Sequence, residues 1–568
     1  MRQCRVLLFI CAFFAISVSV SAQEQPAAEK PPAGQVGGLR FLDTGEVTVV
    51  NLDVSVLKKG DVVYGLQASD FDVYQDGKLQ DLTNFAFISR QVAAPAPTST
   101  ALPAATAVPT PPPLVPREPR FLVIYVDNEN IAPFNRNRVL NRLDDFLRSH
   151  LVPPDQAMVV SYQKSLKIIQ RFTTSVDEVI DALRPLRTYT GGRSAMDSQR
   201  REIEDAIEDA GEQSGQREQT LSQVRGFARE QHNNLMFTVG ALQELVHMTA
   251  GLPGKKAVIY VSDGLPMVPG LELFYAVQDR WSNMSVITQS MEYDATSMFR
   301  SLATSATAAG VTFYTIDARG LESEMGIEAE YRQSRSTLAA SIARSNYQDS
   351  LLYMADQTGG VAVVNTNDVK VGLDRIAEQL ENYYWIGYRL VPSGQDRPHR
   401  VEVKVKGHPE YTLNFRRTFI EKSLPTQIGD RVVSGLVFDL DDNPLGVMLE
   451  GSEPVPASSG RWTLPVEVRV PIDKVALIPD GNDLAGYMMV YYAARDDEGK
   501  QSDLQRVEHS VRIPVADYER ARSQYFTFTA SLLLEPGIYR ISVGVRDQLT
   551  NQAGYAVLRK PVHPEERQ

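Results

Sequence analysis

Three short segments gather oxygen-bearing side chains at places where chemistry could occur. Asp127-Asn128-Glu129-Asn130 directly follows the apolar run Phe121 to Val126, Thr190-Gly191-Gly192-Arg193-Ser194 is the second segment, and Ser262-Asp263-Gly264 directly follows Ala257 to Val261. Carboxylates and hydroxyls are the hard donors that magnesium takes in near-octahedral geometry, with waters filling the remaining positions. The plainer alternative is that Asp127 and Asp263 cap strand ends and satisfy loop N–H groups, as Asp commonly does. None of the segments pairs a base with a nucleophile, which argues against hydrolysis.

Other motifs dissolve on inspection. Gly251 to Lys256 has the look of a phosphate loop, but Ala257 stands where Ser or Thr is needed and the segment leads into a strand instead of a helix. Gly192-Arg193-Ser194 begins like a hydrolase nucleophile elbow, yet Met196 replaces the second glycine and no strand abuts it. His150, His232, His247, His399, His408, His509 and His563 never reach a metal-binding spacing and read as surface or helix-end residues. Tyr383, Tyr384, Trp385 and Tyr388 are expected to pack the last helix and strand, with an aromatic recognition patch as the alternative.

The elements that would position the three segments alternate between strand and helix. Strands are expected at Phe121 to Val126, Ala157 to Tyr162, Lys167 to Phe172, Ala257 to Val261, Val311 to Ile316 and Gly360 to Val364. Helices are expected at Arg136 to Arg148, Val176 to Leu186, Phe237 to Thr249, Ser297 to Ala309 and Val371 to Tyr383. This predicts an α/β fold, a Rossmann-like, mostly parallel sheet with helices on both faces. The connection between Ser161 and Lys167 is too short for a crossover helix, so the strand after it should be an antiparallel edge. Ligand sites in such sheets lie at the carboxyl ends of the strands, where the three segments are expected to fall.

All-β domains flank this region. Residues 39–90 read as strands with an Asp76-Gly77 hairpin turn, and 91–119 is a Pro- and Ala-rich linker that cannot bury a core. The span 120–390 is the α/β domain, with 195–234 a polar helical insertion or mobile arm. Val401, Val403 and Val405 followed by a Gly407-His408-Pro409 turn and Tyr411, Leu413 and Phe415 predict a hairpin at 397–420, and 429–563 a C-terminal β-sandwich.

The three segments together resemble the type A domain of von Willebrand factor and integrins. In that family an Asp-x-Ser-x-Ser strand end, a Gly-Gly-Thr-like loop and a Ser/Thr-Asp-Gly strand end converge on one divalent cation that bridges to a partner's carboxylate. More narrowly, the chain resembles bacterial VWFA-related secreted proteins of the acidobacterial type. The matching phrases are Leu66 to Lys78, Leu252-Pro253-Gly254-Lys255-Lys256, Ala355-Asp356-Gln357-Thr358-Gly359-Gly360 and Tyr383 to Tyr388, so the match spans about residues 40 to 420. The resemblance implies Mg2+ held by Asp127, Glu129, Ser194 and Asp263. It departs from the pattern where Glu129 and Ile131 replace two hydroxyl residues.

Composition bounds the function. Arg2 and Arg5, the apolar run Val6 to Val20 and the small pair Ser21-Ala22 predict a cleaved signal peptide at 1–22, since the run of about 15 residues is too short to span a bilayer. Cys4 and Cys11 both lie inside it, so the mature chain has no disulfide or thiol chemistry. A net charge of -12 argues against nucleic acid as a partner. The expectation is an exported, non-enzymatic, adhesion-type protein, periplasmic or extracellular, with a protein partner and no membrane span after signal cleavage. The alternatives are a structural subunit of an envelope or secretion assembly with a vestigial metal site, and a metal-dependent hydrolase.

Overall fold

In a computed structural model of the chain the described residues are 48–89, 119–211, 214–282, 284–320, 337–390, 394–440 and 442–562. The predicted signal peptide, most of the Pro- and Ala-rich linker and His563 lie outside them.

Runs of apolar residues with no polar alternation need cover on both faces, and the two most continuous runs form the middle of a six-stranded sheet. Its order is Ala362–Val363, Val311–Asp317, Lys256–Ser262, Phe121–Asp127, Gln156–Gln163, Ser165–Thr173. All neighbours are parallel except the last pair, which turns back at Lys164 and runs antiparallel. Phe121, Val123 and Tyr125 project with Val258 and Tyr260 into one core, capped by Leu235, Val239 and Leu242 of the helix Ser214–Thr249. Leu122, Ile124 and Val126 project with Ile259 into the opposite core, against Val139, Leu140 and Leu143 of the helix Pro133–His150. The sheet therefore has helices on both faces. In register, Val123 sits opposite Val258 and Ile124 opposite Ile259, so the two strands end side by side at Val126 and Val261.

The polar stretch 195–234 is helical, one of the two forms expected, but it is not wholly solvated. It forms the helix Arg193–Asp209 and the first half of the helix Ser214–Thr249. Ile203, Ile207, Leu221, Val224 and Phe227 pack there against Leu273, Phe274 and Val277 of the helix Leu271–Trp281. Its apolar residues are few, but their spacing of three and four puts them on one helical face, which suffices for a small core.

The β-rich regions also pair differently from the expected boundaries. The strand Asn382–Leu390 pairs with Thr48–Lys58 and Leu82–Ser89 instead of joining the parallel sheet. The strand Arg397–Val405 pairs with Phe71–Gln75 and Thr418–Glu421, whereas Thr412–Asn414 joins Thr48–Lys58. The expected 397–420 hairpin is thus split between two sheets of one sandwich, which is discontinuous in sequence. Inward residues set this: Tyr384, Ile386 and Tyr388 alternate into a core with Leu52, Val54, Phe71, Val73, Val401 and Val403. Tyr384 lies 5.2 Å from Phe71 and 4.9 Å from Phe87, so the aromatic segment packs this sandwich and not the end of the parallel sheet. The Asp76-Gly77 turn joins Phe71–Gln75 to Lys78–Leu79, both turn residues having positive φ.

A helix, Leu424–Gly435, precedes the last sandwich. Its Ile428 and Val432 enter the core beneath the parallel sheet together with Tyr491 and Ala493. The sandwich has a sheet around Trp462–Pro471 paired with Tyr525–Leu534, and a second around Asp483–Asp496 paired with Gln505–Pro514 and Gly537–Asp547. Val466, Val468, Val490, Ile541 and Val543 fill the space between.

Candidate functional site

The last residue of the strand Phe121–Asp127 and the residue after Lys256–Ser262 bring two carboxyl groups to neighbouring strand ends. Both are buried, Asp127 at 0% and Asp263 at 1% exposure. One oxygen of Asp127 accepts from the Tyr260 hydroxyl at 2.5 Å, and the other from the Asn130 backbone N–H at 3.1 Å. Asn130 Nδ2 reaches both oxygens and also Thr238 Oγ1 at 3.2 Å, which ties the loop to the helix Ser214–Thr249. Asp263 accepts from the Ala132 N–H at 2.9 Å and from Asn135 Nδ2 at 3.0 Å, while its own N–H donates to the Asn130 carbonyl. The 128–132 loop is therefore sewn to both strand ends.

Burial raises both acids. Asp127 is pushed up to about 6 by loss of water, against hydrogen bonds from Tyr260, Asn130 and Ser262 that pull it down. Asp263 is also pushed up to about 6 by burial, opposed first by the positive charge of Arg193 and then by the bonds from Ala132 and Asn135 and the charge of Arg319.

The glycine pair explains how the second segment arrives. A Cβ on Gly191 would lie 2.1 Å from the Asn128 carbonyl oxygen, and one on Gly192 would lie 2.3 Å from Glu129 Oε1. At Gly191 the neighbours are backbone, so only glycine allows this approach; at Gly192 the Glu129 side chain could swing aside. Arg193 then opens the helix Arg193–Asp209 with its side chain turned inward at 8% exposure. Its guanidinium lies 4.6 Å from the Tyr347 ring centroid, its Nε donates to Asp197 at 3.2 Å, and its Nη1 is buried without a hydrogen-bond partner. Burial alone would lower its pKa, but the acidic groups Tyr347, Asp197 and Asp263 outweigh burial and raise it.

The four residues expected to hold magnesium are therefore not assembled alike. Asp127 and Asp263 are buried at the strand ends, Glu129 is half-buried beside Gly192, and Ser194 is exposed at the start of its helix. Ile131 is fully buried in the core under the helix Pro133–His150, where it offers no ligand. Among the described residues no three acidic or histidine side chains group as an ion would need. The carboxylate oxygens already accept protein hydrogen bonds and a guanidinium stands nearby, so this donor set does not fit a divalent cation. The plainer alternative for Asp127 and Asp263, satisfying loop N–H groups, matches their bonds.

Arg136 and Asp317 escaped the sequence reading. Arg136 is completely buried and among the described residues pairs with no carboxylate: its guanidinium donates to Asn128 Oδ1 and to the carbonyls of Tyr189 and Arg187, pinning the approach to Gly191. Its place on the apolar stripe with Val139, Leu140 and Leu143 was the available signal. Asp317, at the end of the next strand, is paired with Arg319 at 3.1 Å and accepts from Gln348 at 2.8 Å.

Large apolar side chains are exposed close in sequence to residues of this hydrogen-bond network. Phe134 is 78% exposed two residues after Ala132, and Met236 and Phe237, at 52% and 69%, immediately precede Thr238.

No family model matches the chain, and no curated protein matches it. Among solved structures it is similar to the vWF domain of the type V pili tip protein Mfa5 from Porphyromonas gingivalis, at 12% identity over 46% of this chain and 95% of that one, with a TM-score of 0.23. It is also similar to the conserved hypothetical protein BatB from Bacteroides thetaiotaomicron, at 12% identity over 46% and 96%, TM-score 0.21. A third is an aerotolerance-related membrane protein from Bacteroides fragilis, at 10% identity over 46% and 98%, TM-score 0.21. Overlaps this partial and distant say nothing about what the chain binds. No helix among the described residues is long and apolar enough to cross a membrane.

Proposed function

We propose that the chain is an exported, non-enzymatic interaction protein whose von Willebrand type A-like domain docks a protein partner at the carboxyl ends of the parallel strands. The observation that carries this reading is the exposure of Phe134, Met236 and Phe237 close in sequence to Ala132 and Thr238, which belong to the hydrogen-bond network of Asp127 and Asp263. Aromatic and methionine side chains are the residues that interface centres favour. The crevice floor supplies hydrogen-bonded acids and amides with no histidine or activated nucleophile among the bonded groups, which favours binding over hydrolysis. The flanking sandwiches serve as spacers or additional contacts.

The test is affinity capture with cross-linking, using the purified chain as bait in envelope extract of the producing cells. The expected result is a defined partner held by wild type and lost with the Phe134→Ser/Phe237→Ser double variant at an unchanged melting temperature. Equal capture by both proteins would remove this rim from docking.

A further inference from the structure

We propose that the strand Gln505–Pro514 is a dimerisation edge, pairing antiparallel with the same strand of a second copy of this chain about a two-fold axis at Ser510. The strand runs in unbroken register along Asp483–Asp496, and among the described residues no other strand pairs with it. An antiparallel strand turns only alternate residues' N–H and C=O groups toward its neighbour, so the rest of this edge faces outward without a strand partner. An open edge is a template for another strand, and chains that keep one single shorten it, bulge it or break it with proline. Here the register has no bulge, and the proline, Pro514, is the last residue. Charge can also blunt an edge, but the charges on this one complement each other across a two-fold axis.

Residues directly opposite in a joined sheet lie on the same face, so the axis of a self-paired strand passes through a residue and not between two. The outer face carries Arg506, Glu508, Ser510 and Arg512, all exposed. The inner face carries Val507, His509, Val511 and Ile513; Val511 and Ile513 are buried in the sandwich core, and the His509 ring stacks on Phe528 of the opposite sheet at 4.3 Å. With the axis at Ser510, residues 506–514 overlap and Glu508 of each copy stands opposite Arg512 of the other, an attractive arrangement made twice by symmetry. The same register sets Val507, 41% exposed, against Ile513 and His509 against Val511, so the apolar inner face continues across the axis. An axis at His509 would set Arg506 against Arg512, one at Glu508 would set that carboxylate against itself, and one at Val511 would leave Glu508 facing Pro514. Glu508 accepts from Gln548 Nε2 at 3.1 Å and Arg512 pairs with Asp480 at 2.7 Å, but these contacts are exposed and hold neither group away from a second copy. One such edge per chain makes the contact isologous, so it closes at two copies. The inference is independent of whether the rim near Asp127 and Asp263 docks a partner.

The experiment is sedimentation velocity of the mature chain over a range of micromolar concentrations, with cysteine cross-linking to read the register. Wild type should sediment as a dimer that dissociates on dilution. Glu508→Arg and Arg512→Glu each turn both cross-axis pairs into like charges and should raise the dissociation constant roughly tenfold or more, whereas the Glu508→Arg/Arg512→Glu double variant restores both pairs and should dimerise nearly as wild type does. The chain that follows the predicted signal peptide contains no cysteine, so Ser510→Cys reads the axis alone. Opposite Cα atoms in an antiparallel pair lie about 4.5 to 5.5 Å apart, within disulfide reach, and mild oxidation should link the two copies. Arg506→Cys leaves the charge pairs intact but sets its two thiols about 26 Å apart along the strand, and should not link. All of these side chains are exposed, so the melting temperatures of the monomeric forms should match. A wild-type monomer at every concentration would overturn the proposal, as would a dimer that ignores both charge reversals, a double variant that stays monomeric, an open-ended series of larger assemblies, or a link through Arg506→Cys in place of Ser510→Cys. Should a charge variant not fold, the cross-linking pair alone decides.

Discussion

The two ends of the parallel sheet handle charge in opposite ways. At the amino ends, charge meets charge: Arg120 clasps Asp155 through Nε at 3.0 Å and Nη2 at 2.5 Å, and Lys255 pairs with Asp53 at 3.1 Å while lying 3.9 Å over the Tyr383 ring. Asp53 and Tyr383 belong to the discontinuous sandwich, so this end is finished as an interface inside the molecule. At the carboxyl ends, Asp127 and Asp263 are buried against neutral donors, Arg193 keeps an unbonded nitrogen, and three large apolar side chains face solvent. One end pairs opposite charges. The other buries acids against neutral donors and exposes apolar surface nearby.

Both ends hang on the same strands, so the largest effect should come from the middle. Ile259 is fully buried between Ile124 and Tyr314, its register partners on the two sides, and Ile259→Ala should destabilise by about 2 to 5 kcal/mol in denaturant melts. A change below about 1 kcal/mol would mean that the strand is not what both ends depend on. The next largest should come from the amino end. Asp155→Ala leaves Arg120, whose side chain is 17% exposed, facing an empty place where a 2% exposed carboxylate stood, and should cost about 3 kcal/mol. If it costs no more than an exposed ion pair, that end is not the closed interface described, and the contrast between the two ends fails.

The contrast was half legible in the sequence. Strands Phe121–Asp127 and Lys256–Ser262 announce themselves because burial on both faces leaves continuous apolar runs, and Asp127 and Asp263 follow from being the first acids past those runs. The strand Asn382–Leu390 did not reveal its sheet, since its partner Thr48–Lys58 lies more than three hundred residues away and alternation says nothing about which sheet a strand joins. The helix Thr337–Thr358 was missed because its small and polar residues give hardly any apolar stripe, although Leu351 and Met354 are buried. Arg193 was read only as part of a loop. Its inward turn depends on two glycines meeting a loop more than sixty residues earlier and on a tyrosine from a distant helix, and neither contact is a local property of the chain.

The smallest predicted effect probes the carboxyl end through pH. Asp127 and Asp263 both have folded pKa values near about 6 because burial penalises their charged forms, against an ordinary value of 3.8. Between about 3.8 and 6 the folded chain therefore binds more protons at these positions than the unfolded chain does, so stability contributed here falls as pH rises through that window and is flat above it. The groups facing Asp127 are the phenols of Tyr125, Tyr162 and Tyr260, all raised by burial and neutral throughout this range, and those facing Asp263 are the guanidinium of Arg193, itself raised, and that of Arg319. The two aspartates alone change charge among them. Going from pH 7 to pH 5 should add roughly 1 kcal/mol per carboxyl to the stability measured in denaturant melts. The Asp127→Asn/Asp263→Asn variant keeps the size of both side chains and removes the titration, so the gain from pH 7 to pH 5 should be smaller in the variant by that amount. The sign is the diagnostic, because a carboxyl raised by burial contributes more stability as the pH falls. If wild type and the double variant respond alike to pH, the carboxyl-end acids are as well satisfied as the amino-end pair, and the crevice holds no electrostatic tension for a partner to relieve.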